Sequence, residues 1–79
     1  METEYLIRMA NRIGEFFEAM PDPHEARAGI AEHLQRFWEP RMRRALLAHV
    51  DAHGRAGLSL NVYEAIVHNR ERLLPAQRR

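Results

Sequence analysis

The sequence predicts an all-α fold, a compact bundle of three to four helices. Three observations carry this. Apolar residues recur at steps of three and four along most of the chain, and nowhere at the strand period of two. The prolines and glycines fall mainly between those periodic segments, where helices start and stop. The chain has 79 residues, without internal repeat or low-complexity tract, enough for one small domain over 1–79.

The first helix is expected over about residues 4–19, where Leu6, Ala10, Ile13, Phe17 and Met20 recur at helical spacing. Pro21 and Pro23 interrupt the pattern. Asp22 then suits an N-cap, Pro23 the first helical position and Glu25 the third, the arrangement of a capping box with aspartate as the cap. The second helix is expected over 23–38, with Ala26, Ile30, Leu34, Phe37 and Trp38 on one side. Pro40 disfavours helical backbone at Glu39 and sets a boundary there. The third helix, 40–53, turns Met42, Leu46 and Val50 inward, and Gly54 is placed to close it. Ser59 suits the cap of a fourth helix over 60–73, with Val62, Ile66 and Leu73 inward and Arg70 falling within the apolar stripe. Pro75 stops it, and residues 75–79 are expected to fray.

Composition excludes several classes of function. There is no cysteine, hence no disulfide, no thiolate zinc site and no iron–sulfur ligation by this chain. The acidic start, Met1-Glu2-Thr3-Glu4, has no signal-peptide pattern, and no apolar run approaches the roughly 20 residues that span a bilayer. Formal net charge is +1, too near neutral for the basic field of a non-specific nucleic-acid binder. All 12 basic residues are arginine, which fits either bidentate ion pairs at an interface or a coding bias without physical consequence.

Catalytic patterns are absent. The glycines are scattered at 14, 29, 54 and 57, with no phosphate-binding loop, and the only serine, Ser59, serves better as a cap than as a nucleophile. Gly29 inside the second helix costs about 1 kcal/mol against alanine, which a close helix crossing would offset. His49 and His53, four apart, have a metal-chelating spacing, but two histidines do not define a tetrahedral site. They also suit the edge of an apolar face, beside C-terminal carbonyls.

The features that invite a partner are five residues: Ile7, Phe16, Trp38, Arg41 and Arg44. The first helix has an apolar face covering roughly 200°, from Tyr5 and Phe16 round to Ile7, where one buried stripe needs about 100°. Such a helix is either buried on two sides, by its own core and by another protein, or internal to the bundle. Trp38 has the spacing of a core residue and also the chemistry of an interface anchor. Arg41, Arg43 and Arg44 crowd a helix start, where positive charge opposes the macrodipole. Glu39 is spaced to pair with Arg43, as Glu4 is with Arg8 and Glu32 with Arg36, which leaves Arg41 and Arg44 without a local carboxylate. They suit carboxylates of another subunit, phosphates, or a solvated edge. A helix-turn-helix DNA-binding module, with the third helix in the major groove, is the alternative from another class. Near-neutral charge and the lack of basic residues along the rest of that helix weigh against it.

Two stretches decide between these readings. His33 to Leu58, with its aromatic pair Phe37-Trp38, proline-started helix, arginine cluster and closing Gly54, resembles the core of the delta subunit of cytoplasmic, NAD-dependent, molybdenum-containing formate dehydrogenases. Leu6 to Phe17 resembles the other half of that family's pattern. The resemblance implies a non-catalytic accessory subunit in the cytoplasm, supporting assembly, stability or maturation of the complex that oxidises formate to CO2. Its implied partners are the larger formate dehydrogenase subunits, with no nucleic acid and no membrane, and with self-association open to the isolated chain. It also implies that the holoenzyme carries molybdenum bis-pterin guanine dinucleotide, iron–sulfur clusters, FMN and NAD in the other subunits. No catalytic, cofactor-binding or metal residue is expected in this one.

Overall fold

A computed structural model describes residues 2–75. They form five helices: α1 (Thr3–Phe17), α2 (Pro23–Phe37), α3 (Pro40–His53), α4 (Leu60–His68) and the single turn α5 (Arg70–Leu73). Among the described residues there is no strand, and the fold is the all-helical bundle that the periodicity predicts. Of the expected frayed tail, residues 76–79 lie outside the described residues.

The prolines act where their chemistry requires. Pro23 and Pro40 each occupy the first turn of a helix, where a missing N–H costs nothing. Asp22 caps α2 by accepting the backbone N–H of His24 at 2.9 Å, so the aspartate caps without the reciprocal arm of a capping box. Gly54 closes α3 at φ +64°, a backbone that side chains rarely adopt, and donates its N–H to the Val50 carbonyl at 2.8 Å.

Every helix contributes to one apolar core. It holds Leu6 and Ala10 of α1, Ile30 and Leu34 of α2, Leu46 and Leu47 of α3, Val62, Ala65 and Ile66 of α4, and Leu73 of α5, together with Trp38 and Leu58 from the connections. Among the described residues no polar or charged residue is buried. Two close crossings shape the core. A Cβ on Gly14 would stand 2.5 Å from Val62, and one on Gly29 would stand 2.5 Å from the Phe17 ring. The cost of Gly29 inside a helix is thus offset by the aromatic ring laid against its backbone.

Four local expectations are corrected. The fourth helix does not run unbroken to Leu73. Asn69 leaves helical geometry at φ −124°, ψ 31°, with its side-chain amide donating to the Ala65 carbonyl at 2.9 Å. The break turns Arg70 out of the apolar stripe, where it grips Asp51 through two bonds of 2.8 and 2.7 Å. Hydrogen bonding to Asp51, opposed by desolvation and aided by the attraction of its charge, raises the Arg70 pKa above its ordinary value. Ser59 makes no side-chain cap on α4; its N–H goes instead to Asn11 Oδ1 at 2.9 Å and its hydroxyl to Asn61 Oδ1 at 3.0 Å. Phe37 is 67 % exposed rather than inward, because Trp38 turns into extended backbone at φ −91°, ψ 135° and fills the core position in its place. The Phe37 ring lies 4.8 Å from that of His33, one turn back.

Candidate docking surface

The sequence of α3 divides its circumference sharply. Leu46 and Leu47 enter the core. On the outward side, Arg41, Ala45, Ala48 and Ala52 follow at steps of four, three and four, so they share one face. With nothing larger than a methyl group beyond Arg41, the part of that face from Ala45 to Ala52 forms one wall of an open groove of about 610 Å³. Thr3, Glu4 and Ile7, in the first turns of α1, form the other wall, and His49, His53 and Ala56 complete it. The loop beneath is fixed by its own bonds. The ring nitrogen Nε2 of His49 lies 2.7 Å from the Ala56 carbonyl oxygen, and the Asn11 side-chain amide donates to the Gly57 carbonyl at 2.9 Å.

Arg41 and Arg44 are exposed, and among the described residues no carboxylate lies within 4.0 Å of either. The third arginine of the cluster behaves differently. Arg43 does not pair with Glu39; its guanidinium reaches inward and donates to the carbonyls of Trp38 and Leu73, each at 3.2 Å. Those two carbonyls sit at the ends of α2 and α5, where helical acceptors lack partners. Elsewhere arginines do meet acids: Arg27 with Glu64 at 3.3 Å, Arg36 with Glu32 at 3.6 Å, and Arg70 with Asp51.

The five candidate interface residues do not form one patch. Ile7 lines the groove, half-buried and packed against the core. Arg41 heads the alanine face, with Arg44 one turn on. Phe16 is 76 % exposed and lies nine residues beyond Ile7, about 180° round α1 at 100° per residue. It shares its flank with Tyr5, and its ring meets that of Phe17 edge-on at 5.2 Å. Trp38 is corrected as an anchor: at 5 % exposure it belongs to the core and offers no surface to a partner. The wide apolar face of α1 is thereby resolved. Its centre, Leu6, Ala10 and Gly14, is buried within the bundle, while Tyr5 and Phe16 at one edge face outward.

A second, smaller hollow of about 320 Å³ lies where α1 ends, α2 begins and α4 starts, lined by Phe17, Met20, Pro23, Ala26 and Leu60 and edged by the Arg27–Glu64 pair. His49 and His53 have ring centres 5.3 Å apart. Among the described residues no three His, Cys, Asp or Glu side chains converge on a point that could hold a metal ion. No described helix is long and apolar enough to cross a membrane.

Sequence reasoning missed the alanines. Hydrophobic periodicity is read from large side chains, and Ala45, Ala48 and Ala52 offer only methyl groups. The signal that would have found them is the absence of any long polar side chain along the outward stripe below Arg41. No curated protein and no solved structure matches the chain. The family described as NADH-dependent formate dehydrogenase delta subunit FdsD matches residues 5–66, a span that takes in most of α1, all of α2 and α3, most of α4 and both walls of the groove except Thr3 and Glu4. With most of its length matched, the chain belongs to the delta-subunit family of NADH-dependent formate dehydrogenase.

Proposed function

We propose that this chain is a non-catalytic accessory subunit of NAD-dependent formate dehydrogenase, docked on the larger subunits in the cytoplasm and supporting assembly, stability or maturation of the complex. The observation that carries the reading is the family match over residues 5–66. The molecule's own chemistry supports it. Among the described residues the buried side chains are apolar apart from the tucked-in Nδ1 of His33, which has no hydrogen-bond partner, and Arg41 and Arg44 point outward without a carboxylate. Unpaired arginines beside a surface of methyl groups suit recognition of another protein better than the holding of a reactive centre. On this reading the molybdenum bis-pterin guanine dinucleotide, the iron–sulfur clusters, FMN and NAD reside in the other subunits. A chain without cysteine supplies no thiolate for a cluster.

The test is recovery of the tagged chain from its native host, with its companions identified by mass spectrometry. Large molybdenum- and flavin-containing subunits are the expected companions. Recovery of DNA fragments in their place would overturn the reading in favour of the helix-turn-helix alternative.

A further inference from the structure

We propose that the groove between α1 and α3 receives one α-helix of a larger subunit, acidic at the end that meets Arg41 and Arg44. The inference deepens the accessory-subunit reading and rests on it. The shape argument comes first. From Ala45 to His53 the groove follows α3 for nine residues, whose eight steps span about 12 Å at the helical rise. A wall of alanine methyls lets a second helix approach toward the close end of the usual range, about 8 Å between axes. The wall repeats at steps of three and four, the spacing that a packed helix presents in return. An extended segment has no strand edge to join among the described residues.

Charge then selects the occupant. Arg27, Arg36 and Arg70 pair with carboxylates within the chain; among the described residues Arg41 and Arg44 do not, nor do Arg8 and Arg12 on another flank of α1, and it is Arg41 and Arg44 that precede Ala45 on α3. Both sit on the N-terminal turns of α3, whose dipole adds positive potential at the same place. A carboxylate set against them is favoured twice, by the guanidinium groups and by the helix end. A second copy of this chain is a poor occupant. Of its exposed apolar side chains, Tyr5 on α1 is edged by Arg8 and Arg12 and Phe37 on α2 carries Arg36 over its ring, which would set arginine against arginine. Nucleic acid is disfavoured by a surface that turns to methyl groups one turn beyond the cluster.

The experiment uses the assembled enzyme with the tagged chain in four forms: wild type, Ala48→Trp, Arg41→Glu with Arg44→Glu, and Ala28→Trp. Ala48 and Ala28 are both exposed, on α3 and α2 respectively, so each indole can be carried without entering the core. Filling the groove or reversing its charge should lower recovery of the larger subunits at least ten-fold at moderate salt. Ala28→Trp should leave recovery at the wild-type level. A photo-crosslinking residue at position 48 should join the chain to a helix of a larger subunit bearing Asp or Glu at one end. Undiminished recovery with both groove variants overturns the groove while leaving the accessory-subunit reading intact. Failure of wild type itself to recover the larger subunits overturns both. A crosslink to a second copy or to nucleic acid overturns the proposed occupant. Should Ala48→Trp unfold the chain, the charge-reversed variant and the crosslink still decide.

Discussion

Alanine is normally the better residue inside a helix, and Gly14→Ala in α1 should nonetheless weaken this protein. The propensity term favours the substitution by about 1 kcal/mol. The geometry opposes it. The new methyl group would stand 2.5 Å from Val62 Cγ2, 2.8 Å from Asn61 Oδ1 and 3.2 Å from Ser59 Oγ. Val62 is fully buried and branched at Cβ, so it has no alternative rotamer into which to retreat. The helices α1 and α4 must therefore separate, at about 1–3 kcal/mol for overpacking of this kind. Separation also stretches the bond from the Asn61 side-chain amide to the Gly14 carbonyl, now 3.0 Å, worth about 1 kcal/mol. The net effect is a loss of about 1–3 kcal/mol, or a melting temperature lower by roughly 5–20 °C for a domain of this size. The assay is thermal unfolding followed by circular dichroism, with Gly29→Ala as comparison. At Gly29 the nearest atoms belong to the outer edge of the Phe17 ring, which is only half-buried and can swing aside, so that variant should melt much closer to wild type. A Gly14→Ala protein that melts at or above wild type would refute the close-crossing account.

Trp38→Ala should cost about 3–5 kcal/mol in urea unfolding of the isolated chain, since it empties a core position; a near-neutral result would show that the ring's environment is not a packed interior. Asn11→Ala removes the partners of the Ser59 N–H and the Gly57 carbonyl together. A loss of about 1–2 kcal/mol is expected, with faster hydrogen exchange at the Ser59 amide; unchanged exchange would mean that these bonds do not hold the loop. Elemental and flavin analysis of the purified chain should find no stoichiometric molybdenum, iron, zinc or flavin, because cysteine is absent and no three described ligand side chains converge. One full equivalent of any of them would contradict the placement of the redox centres in other subunits.

The parts of the fold that were legible are those dictated by local backbone chemistry. Pro23 and Pro40 mark the starts of α2 and α3, and Gly54 marks where α3 stops, because ring closure and positive φ leave few alternatives. The break at Asn69 was not legible. No proline or glycine marks it, and it depends on an asparagine side chain competing for the Ala65 carbonyl. Spacing alone pairs Arg43 with Glu39. In the folded chain it finds two orphaned carbonyls, one of them 30 residues away, which no local rule supplies. The candidate surface divides in the same way. Arg41 and Arg44 could be read as lacking local carboxylates, but the groove beside them exists only once α1 has packed alongside α3 and set Ile7 opposite the alanines.

The burial of Trp38 has a practical consequence. It is the single tryptophan of the chain, and its indole touches core residues rather than solvent. Its emission therefore reports on whether the bundle is closed and ignores events on the outer face of α3. A ligand helix that carries no tryptophan can be titrated onto the groove while the intrinsic fluorescence holds steady, and a shift toward longer wavelength during such a titration signals opening of the core instead of occupancy. Folding and docking can thus be followed in one cuvette as separate signals, the first from the native indole and the second from a dye attached to the incoming segment.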